Sequence, residues 1–410
     1  MLIIYDLIFI IGFVFYLSLS FLKKKIGRHF LKRLGLGLRK QNQKTIWLHA
    51  VSVGEVNCLR EFIPRLKNEF PNFSLVISTV TPTGNRLAER LPGIDYIFYL
   101  PFDLSFIVSR FIRLINPKLV IIVETEFWPN FIIQLDKRKV PIVIINGRIS
   151  DRSYNKYHFC KFLFKNILDR IHLFSMQTQA DAARLISLGV EISKVKVIGN
   201  MKFDIQQKDP NIRRRLADNE ILLTCGSTHL GEESGILSCF MKLAEEFPNL
   251  RLLIAPRHIE RNAQLKRLIS IKFKLYVKEV KTLDDISGNG VFLVNVLGIL
   301  PLIYSISDIV YIGASLVKRG GQNILEPAFF GKSIIIGRHY FNFRDIVELF
   351  KANNALIVVG DYSELYFAVR RLIKDTDERL KLGIRAKELL KNNRGASQAN
   401  LELIKGFIKQ

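Results

Sequence analysis

Acids and cations in this chain fall at the ends of short apolar runs, where a side chain can act on a ligand without being spent on the core. Glu55 closes the stretch His49-Ala50-Val51-Ser52-Val53-Gly54-Glu55, in which an apolar run gives way to a turn of small residues. A carboxylate there can take the proton from an attacking hydroxyl if its surroundings tune its pKa toward neutrality. The same spacing fits a helix start in which Ser52 caps and Glu55, three residues on, completes a capping box. Glu124 and Glu126 follow Ile121-Ile122-Val123 and precede the stiff Trp128-Pro129 pair. Either acid suits a helix start, and either could stabilise positive charge developing on an oxocarbenium-like centre. Spacing does not separate the two, and Glu126 is the preferred candidate. Arg148, Arg152 and Lys202, in the runs 146–153 and 199–204, are loop cations suited to a carboxylate or phosphate, against the background of a generally basic surface.

The second half carries pieces that a nucleotide site needs. Gly226-Ser227-Thr228-His229-Leu230-Gly231-Glu232-Glu233 joins a strand-like run to a helix-like one, offering backbone N–H groups and a helix dipole to a phosphate. Pro256-Arg257-His258 ends the next apolar run, and Arg257 could pair with the same phosphate. Gly320-Gly321-Gln322-Asn323-Ile324-Leu325-Glu326 opens a further helix, where glycine lets the backbone approach a ligand and an acid in the first turn can accept ribose hydroxyls. The acid pair of Asp375-Thr376-Asp377 lies between two helical stretches, where capping accounts for it. Cys58, Cys160, Cys225 and Cys239 form no CxxC pair, so no metal site is expected and free thiols in a reducing compartment are.

These residues need a scaffold that presents strand ends. Runs 45–51, 75–80, 96–101, 119–124 and 142–147 are β-branched and apolar on both faces, and they alternate with amphipathic stretches. A second such series occupies 221–227, 250–256, 273–278, 290–295, 308–315, 332–337 and 355–360. This alternation implies parallel sheets covered by helices, with ligands at the carboxyl ends of strands. The expected fold class is α/β, on the GT-B plan. It has two doubly wound Rossmann-like domains facing a cleft, at 45–210 and 211–410.

The formal charge of +24 over 410 residues implies an anionic partner. Nine of the cations, Lys23, Lys24, Lys25, Arg28, Lys32, Arg33, Arg39, Lys40 and Lys44, fall in a stretch without a single acid. That basic linker, 23–44, directly follows residues 2–22, which carry one charge, Asp6. An apolar stretch of this length can cross a bilayer. Basic residues on its C-terminal side imply an uncleaved anchor over 1–22 with the remainder on the cytoplasmic side. A helix lying in the interface is the alternative. Membrane phospholipid is therefore the expected partner, and nucleic acid is not, because no nucleic-acid-binding motif is present.

The ordered series HAVSVGE, ETEFWPN, NGRISDRS, GNMKFD, GSTHLGEE, PRHIER, GGQNILEPA and FNFRDI resembles the motifs of the 3-deoxy-D-manno-octulosonic acid (Kdo) transferases. The resemblance spans about residues 45 to 350 and includes the apolar N-terminus. It implies a metal-independent, inverting GT-B enzyme of the bacterial inner membrane, with no cofactor. Such an enzyme moves Kdo from CMP-Kdo, bound by the C-terminal domain, to the lipid A precursor lipid IVA, bound by the N-terminal domain, in lipopolysaccharide core synthesis. Carried over by position, the resemblance makes Glu55 the general base and Glu126 and Lys202 transition-state stabilisers. Pro256, Arg257, Asn323, Ile324, Leu325 and Glu326 become CMP contacts. The family's Leu-Gly-Glu segment stands here as Leu297-Gly298-Ile299-Leu300, leaving backbone contacts from Gly298, Ile299 and Leu300 but no acid. Gln322 replaces a His and keeps hydrogen-bonding capacity without titrating near neutrality. The rival reading is an epimerase or other nucleotide-sugar enzyme of the same fold acting on a soluble substrate, for which the anchor and basic collar would serve no purpose.

Overall fold

The structure is a computed structural model that describes residues 5–7, 9–11, 28–206, 216–217 and 219–408. The chain divides into two compact units, Met1–Asp204 with Arg394–Gln410, and Ile205–Asn393.

In the first unit the doubly apolar runs become parallel strands β1 (Thr45–His49), β2 (Ser74–Thr79), β3 (Tyr96–Tyr99), β4 (Pro117–Val123), β5 (Ile142–Gly147), β6 (Leu173–Met176) and β7 (Val195–Val197), in the order β3-β2-β1-β4-β5-β6-β7. Successive side chains of a strand point to opposite faces. Trp47, Val120, Ile122 and Ile144 therefore pack with Phe111, Phe131 and Leu168 on one side. On the other side Ile46, Leu48, Ile121 and Ile145 pack with Val56, Phe62 and Leu66. Both faces are dry, so backbone and side chains reach solvent at the strand ends. The order reverses between β1 and β4, which puts the topological switch point at the loops carrying Glu55 and Glu124.

Sequence reading assigned everything after residue 211 to one domain, but the last helix, Ala396–Lys405, belongs to the first unit. Its Leu401 and Ile404 are buried against the β1–β4 face. Asp204 receives its N-terminus, accepting the N–H groups of Gly395 at 2.6 Å and Ser397 at 2.5 Å. A carboxylate at that position satisfies orphan donors and meets the positive end of the helix dipole.

The second unit repeats the plan with β8 (Ile221–Thr228), β9 (Leu250–Pro256), β10 (Val277–Val280), β11 (Val291–Val294), β12 (Ile309–Ile312), β13 (Ser333–Gly337) and β14 (Ile357–Val359), ordered β10-β11-β9-β8-β12-β13-β14. Its switch point lies between β8 and β12. Two parallel, helix-covered sheets thus form as the alternation implied.

The N-terminal expectation fares differently. Residues 1–4, 8 and 12–27, most of the proposed anchor, lie outside the described residues. Among the described residues no helix is long and apolar enough to cross a membrane. Residues 5–7 and 9–11 are helical, and Asp6 is satisfied by the first unit itself. Its carboxylate accepts the Ser105 N–H at 3.2 Å and an Asn130 amide hydrogen at 2.7 Å. Part of the stretch read as a linker is also docked: in the helix Arg28–Arg33 the Phe30 ring lies 5.0 Å from that of Phe102. Arg33 covers the same ring at 4.2 Å while donating to the Leu100 carbonyl at 2.9 Å.

Because Asp204 caps a helix whose apolar face completes the core, Asp204→Ala is expected to lower the stability of the first unit by about 1–2 kcal/mol. Urea unfolding followed by tryptophan fluorescence, with Trp47 and Trp128 both in this unit, would read the change.

Candidate functional site

In the first unit three acids and a lysine gather at the carboxyl ends of β1 and β4. Glu55 lies in the first turn of the short helix Val53–Cys58 and is only 6% exposed. It does not complete a capping box, because the Ser52 side chain caps no backbone N–H. Instead Ser52 donates its hydroxyl to the carboxylate at 2.8 Å, and the Val51 N–H donates at 2.7 Å. Burial raises the Glu55 pKa most. The Val51 and Ser52 bonds oppose it, while the charges of Glu124 and Glu126 add to it, and the carboxyl is pushed up to about 7. A carboxylate that exchanges its proton near neutrality is suited to general-base work.

Glu124 follows β4 in left-handed backbone, with φ of +60°, a conformation disfavoured for non-glycine residues and concentrated at functional sites. It pairs with Lys202 at 3.2 Å. Burial alone would lower the Lys202 pKa, but Cys58 and Glu124 outweigh it and the net shift is upward, so the ammonium stays charged. Glu126 is held up at about 6, chiefly by burial and then by Glu124. The Trp128 indole N–H lies near enough to oppose that shift, without making a hydrogen bond of good geometry. The ambiguity between the two acids thus resolves into two environments: Glu124 is ion-paired, and Glu126 is a half-buried carboxyl with no ion pair among the described residues. Thr125 between them bonds the Arg148 carbonyl, which ties the β4 loop to the β5 loop.

Lys202 is placed by a three-residue turn, Met201–Phe203, in which Met201 and Phe203 are buried. Asn200 accepts the Lys202 N–H at 2.9 Å, and Asn146 accepts the Met201 N–H at 2.9 Å. Sequence reading singled out neither asparagine for this. An asparagine at a strand end is a weak signal until its partner, here 55 residues away, is known. His49, which opens the stretch that ends in Glu55, is fully buried against Ser78, and burial pushes its pKa down to about 4, so it is a neutral core residue.

In the second unit the expected nucleotide loops meet at the carboxyl ends of β8, β9, β11 and β12. Pro256 ends β9, and Arg257 follows with its backbone N–H on the Thr228 carbonyl at 2.9 Å and its side chain exposed. The His229 and His258 rings meet edge-on at 5.3 Å. Burial, then His258, then Arg319 and Arg257 lower the His229 pKa, although Glu232 raises it. Four potential cations therefore share one corner, of which Arg319 lies outside the runs that the sequence singled out. Gly298 has φ of +91°, and Ile299 and Leu300 pack onto the cluster around Val294 and Ile303. Ile299, at the position where the resemblance implies an acid, is a partly buried side chain packed on that cluster. The helix Leu300–Ile306 packs on the helix Leu325–Phe329. Tyr304 of the first leaves no room for a Cβ on Gly226. Asn323 accepts the Leu325 N–H at 3.0 Å and donates to Glu326 at 3.2 Å, which orients the acid.

The 226–233 loop does not leave all its N–H groups to a phosphate, because fully buried Glu232 claims the N–H groups of His229, Ala314, Ser315 and Leu316 at 2.6 to 3.1 Å. The Glu232 side chain thus binds the β8 and β12 loops together. Asp375 caps the helix Thr376–Asn392, accepting the Glu378 N–H at 2.8 Å.

The Glu55 shift has a stability consequence. The unfolded carboxyl loses its proton near 4.5 and the folded one near 7, so the folded state binds more protons between these values and stability falls as pH rises through them. Glu55→Gln removes this slope. It is expected to match the parent near pH 4 and to exceed it at pH 8 by on the order of 3 kcal/mol, measured by urea unfolding across that range.

Residues 28–205 match the family model described as 3-deoxy-D-manno-octulosonic-acid transferase (kdotransferase). The chain is 36% identical over 375 residues to the 3-deoxy-D-manno-octulosonic acid transferase of Haemophilus influenzae, covering 89% of this chain and 87% of that one. It is 31% identical to the same-named protein of Chlamydophila psittaci, over 84% of this chain and 82% of the other. Among solved structures, UDP-GlcNAc 2-epimerase from Neisseria meningitidis bound to UDP-GlcNAc superposes with a TM-score of 0.59 over 88% of this chain and all of that one. At 15% identity that is a likeness of fold alone.

Proposed function

The chain belongs to the Kdo transferase family and is therefore a glycosyltransferase, and from that premise we propose that it transfers Kdo from CMP-Kdo to a hydroxyl of the lipid A precursor, lipid IVA, in lipopolysaccharide core synthesis. The observation that carries this reading is the placement of Glu55 beside Glu126 and the Glu124–Lys202 pair at a switch point. Glu55 takes the proton of the acceptor hydroxyl as its oxygen bonds to the anomeric carbon of Kdo. The bond from that carbon to the phosphate oxygen breaks, its electron pair leaves on CMP, and configuration inverts. Positive charge on the sugar ring in the transition state is met by the Glu126 carboxylate, with Lys202 holding Glu124 in place. In the second unit Arg257, with His229, His258 and Arg319 beside it, suits the phosphate of CMP. Pro256, the backbone of Gly298, Ile299 and Leu300, and the segment Asn323–Glu326 hold the nucleoside.

The test incubates the protein with lipid IVA and freshly generated CMP-Kdo and reads product masses, which should rise by whole Kdo units. No such increase defeats the reading. Glu55→Ala should lower kcat by about 10²–10⁴ while CMP still binds. Since the base must be ionised, the parent rate should climb with pH through about 7 and level off above it.

We also propose that the enzyme works on the cytoplasmic face of the bacterial inner membrane. Support comes from the basic run 23–44 and from large apolar side chains standing in solvent on the first unit, with Phe159 and Phe162 both 91% exposed and Phe106 66%. Exposed Lys156 and Lys161 flank the first two, a composition that suits an anionic phospholipid surface. Burying a phenylalanine is worth about 1.5–3 kcal/mol. The double substitution Phe159→Ser, Phe162→Ser should therefore weaken binding to phosphatidylglycerol-containing vesicles at least about tenfold, as read by co-sedimentation, and unchanged binding would remove this face from the membrane contact.

A further inference from the structure

Asn146 has features that an interior strand position does not call for. It is the penultimate residue of β5, fully buried, and has φ of +54°. It lies in an irregularity between Ile144 and Gly147, where β5 spends an extra residue against β6. Asparagine tolerates left-handed backbone better than most residues, and bulges of this kind re-aim side chains next to active sites. Here the side chain bridges two short pieces of the unit. Oδ1 accepts the Met201 N–H at 2.9 Å, and Nδ2 donates to Cys58 Sγ at 3.6 Å. The Cys58 thiol in turn donates to the Gly54 carbonyl at 3.2 Å. Met201 precedes Lys202, and Gly54 precedes Glu55. The Asn146 carbonyl is separately held by Gln177 Nε2 at 2.9 Å.

Neither piece can hold its own geometry. The helix Val53–Cys58 has six residues and no side-chain cap, and the Met201–Phe203 turn has three. Helices this short have little intrinsic stability and depend on tertiary contacts. The two elements lie against each other, and Asn146 is bonded to both. We propose that Asn146 is a positioning residue for Kdo transfer, setting the Glu55 carboxylate relative to the Glu124–Lys202 pair through the links to Cys58 and Met201. The inference rests on the proposed reaction but concerns a residue that touches neither substrate. The sulfur is a weak acceptor, so the Met201 bond carries more of the constraint and the Cys58 link supplies the register.

Asn146→Gly tests this with little disturbance, because glycine accepts the same backbone conformation and the carbonyl for Gln177 remains. The variant should bind CMP-Kdo with KM within about threefold of the parent and lose about 10- to 100-fold in kcat, the scale of a small misplacement of catalytic groups. The rising limb of its pH profile should also move to higher pH. The charged groups facing Glu55 are Glu124 and Glu126, and a Lys202 that drifts from Glu124 leaves that carboxylate less compensated. Parent-like kcat in the folded variant overturns the proposal, and so does a lower kcat with an unmoved limb. Should Asn146→Gly fail to fold, Cys58→Ala cuts the other link. It should speed hydrogen exchange at the Met201 amide, which Cys58 does not itself bond, by at least about threefold on the scale of local opening. Unchanged exchange overturns the bridge. A parent protein inert toward CMP-Kdo would defeat the proposed reaction, while the Met201 exchange in Cys58→Ala would still decide whether Asn146 couples the two elements.

Discussion

Burial of both faces of a parallel sheet is the constraint from which the rest of each unit follows. Ile46, Trp47 and Leu48 in the first unit, like Leu222, Leu223 and Cys225 in the second, leave no strand face on which a polar group could work. Chemistry is confined to the carboxyl ends of the strands, and most of all to the gap where the strand order reverses. The backbone there is bent to suit. Glu124 and Asn146 in one unit, and Ser227 and Ala314 in the other, all adopt left-handed conformations within three residues of a strand end. Side chains of this kind are held there by their surroundings. Glu124 is held by Lys202, Asn146 by Met201 and Cys58, and Ala314 by the carboxylate of Glu232.

The same burial sets the electrostatics. Glu55 has two hydrogen-bond donors, which would ordinarily lower a carboxyl pKa, yet desolvation and two neighbouring acids carry it toward 7. Lys202 is directed at Glu124 and so leaves Glu55 and Glu126 without a partner cation among the described residues. One acid of the three is thereby ion-paired, while burial holds the other two above the usual carboxylate range. In the second unit the balance is opposite: Arg257, His258 and Arg319 crowd His229 and make a corner receptive to an anion.

Strands were legible because short β-branched runs such as Leu119–Val123, alternating with amphipathic stretches, suit a sheet buried on both faces, and the two series of such runs implied two sheets. The acids at 55, 124 and 126 were legible as strand-end groups for the same reason. Other features were hidden because they depend on partners far along the chain. The terminal helix reads as ordinary amphipathic packing, and only Asp204 and the core around Leu401 show which sheet it covers. Glu232 reads as part of a phosphate loop until its carboxylate is found among N–H groups 82 to 84 residues away. Asp6 reads as a lone charge in an apolar stretch until Ser105 and Asn130 are seen to receive it.

The sequence by itself determined the alternation of elements, the family and the residues that line the strand ends, because periodicity and residue type are local properties. Tertiary structure decided which end-loops meet, which acid is ion-paired, and how far burial moves the Glu55 proton. Those quantities depend on distances between segments and on the solvent removed from around them, and neither is written in the order of residues.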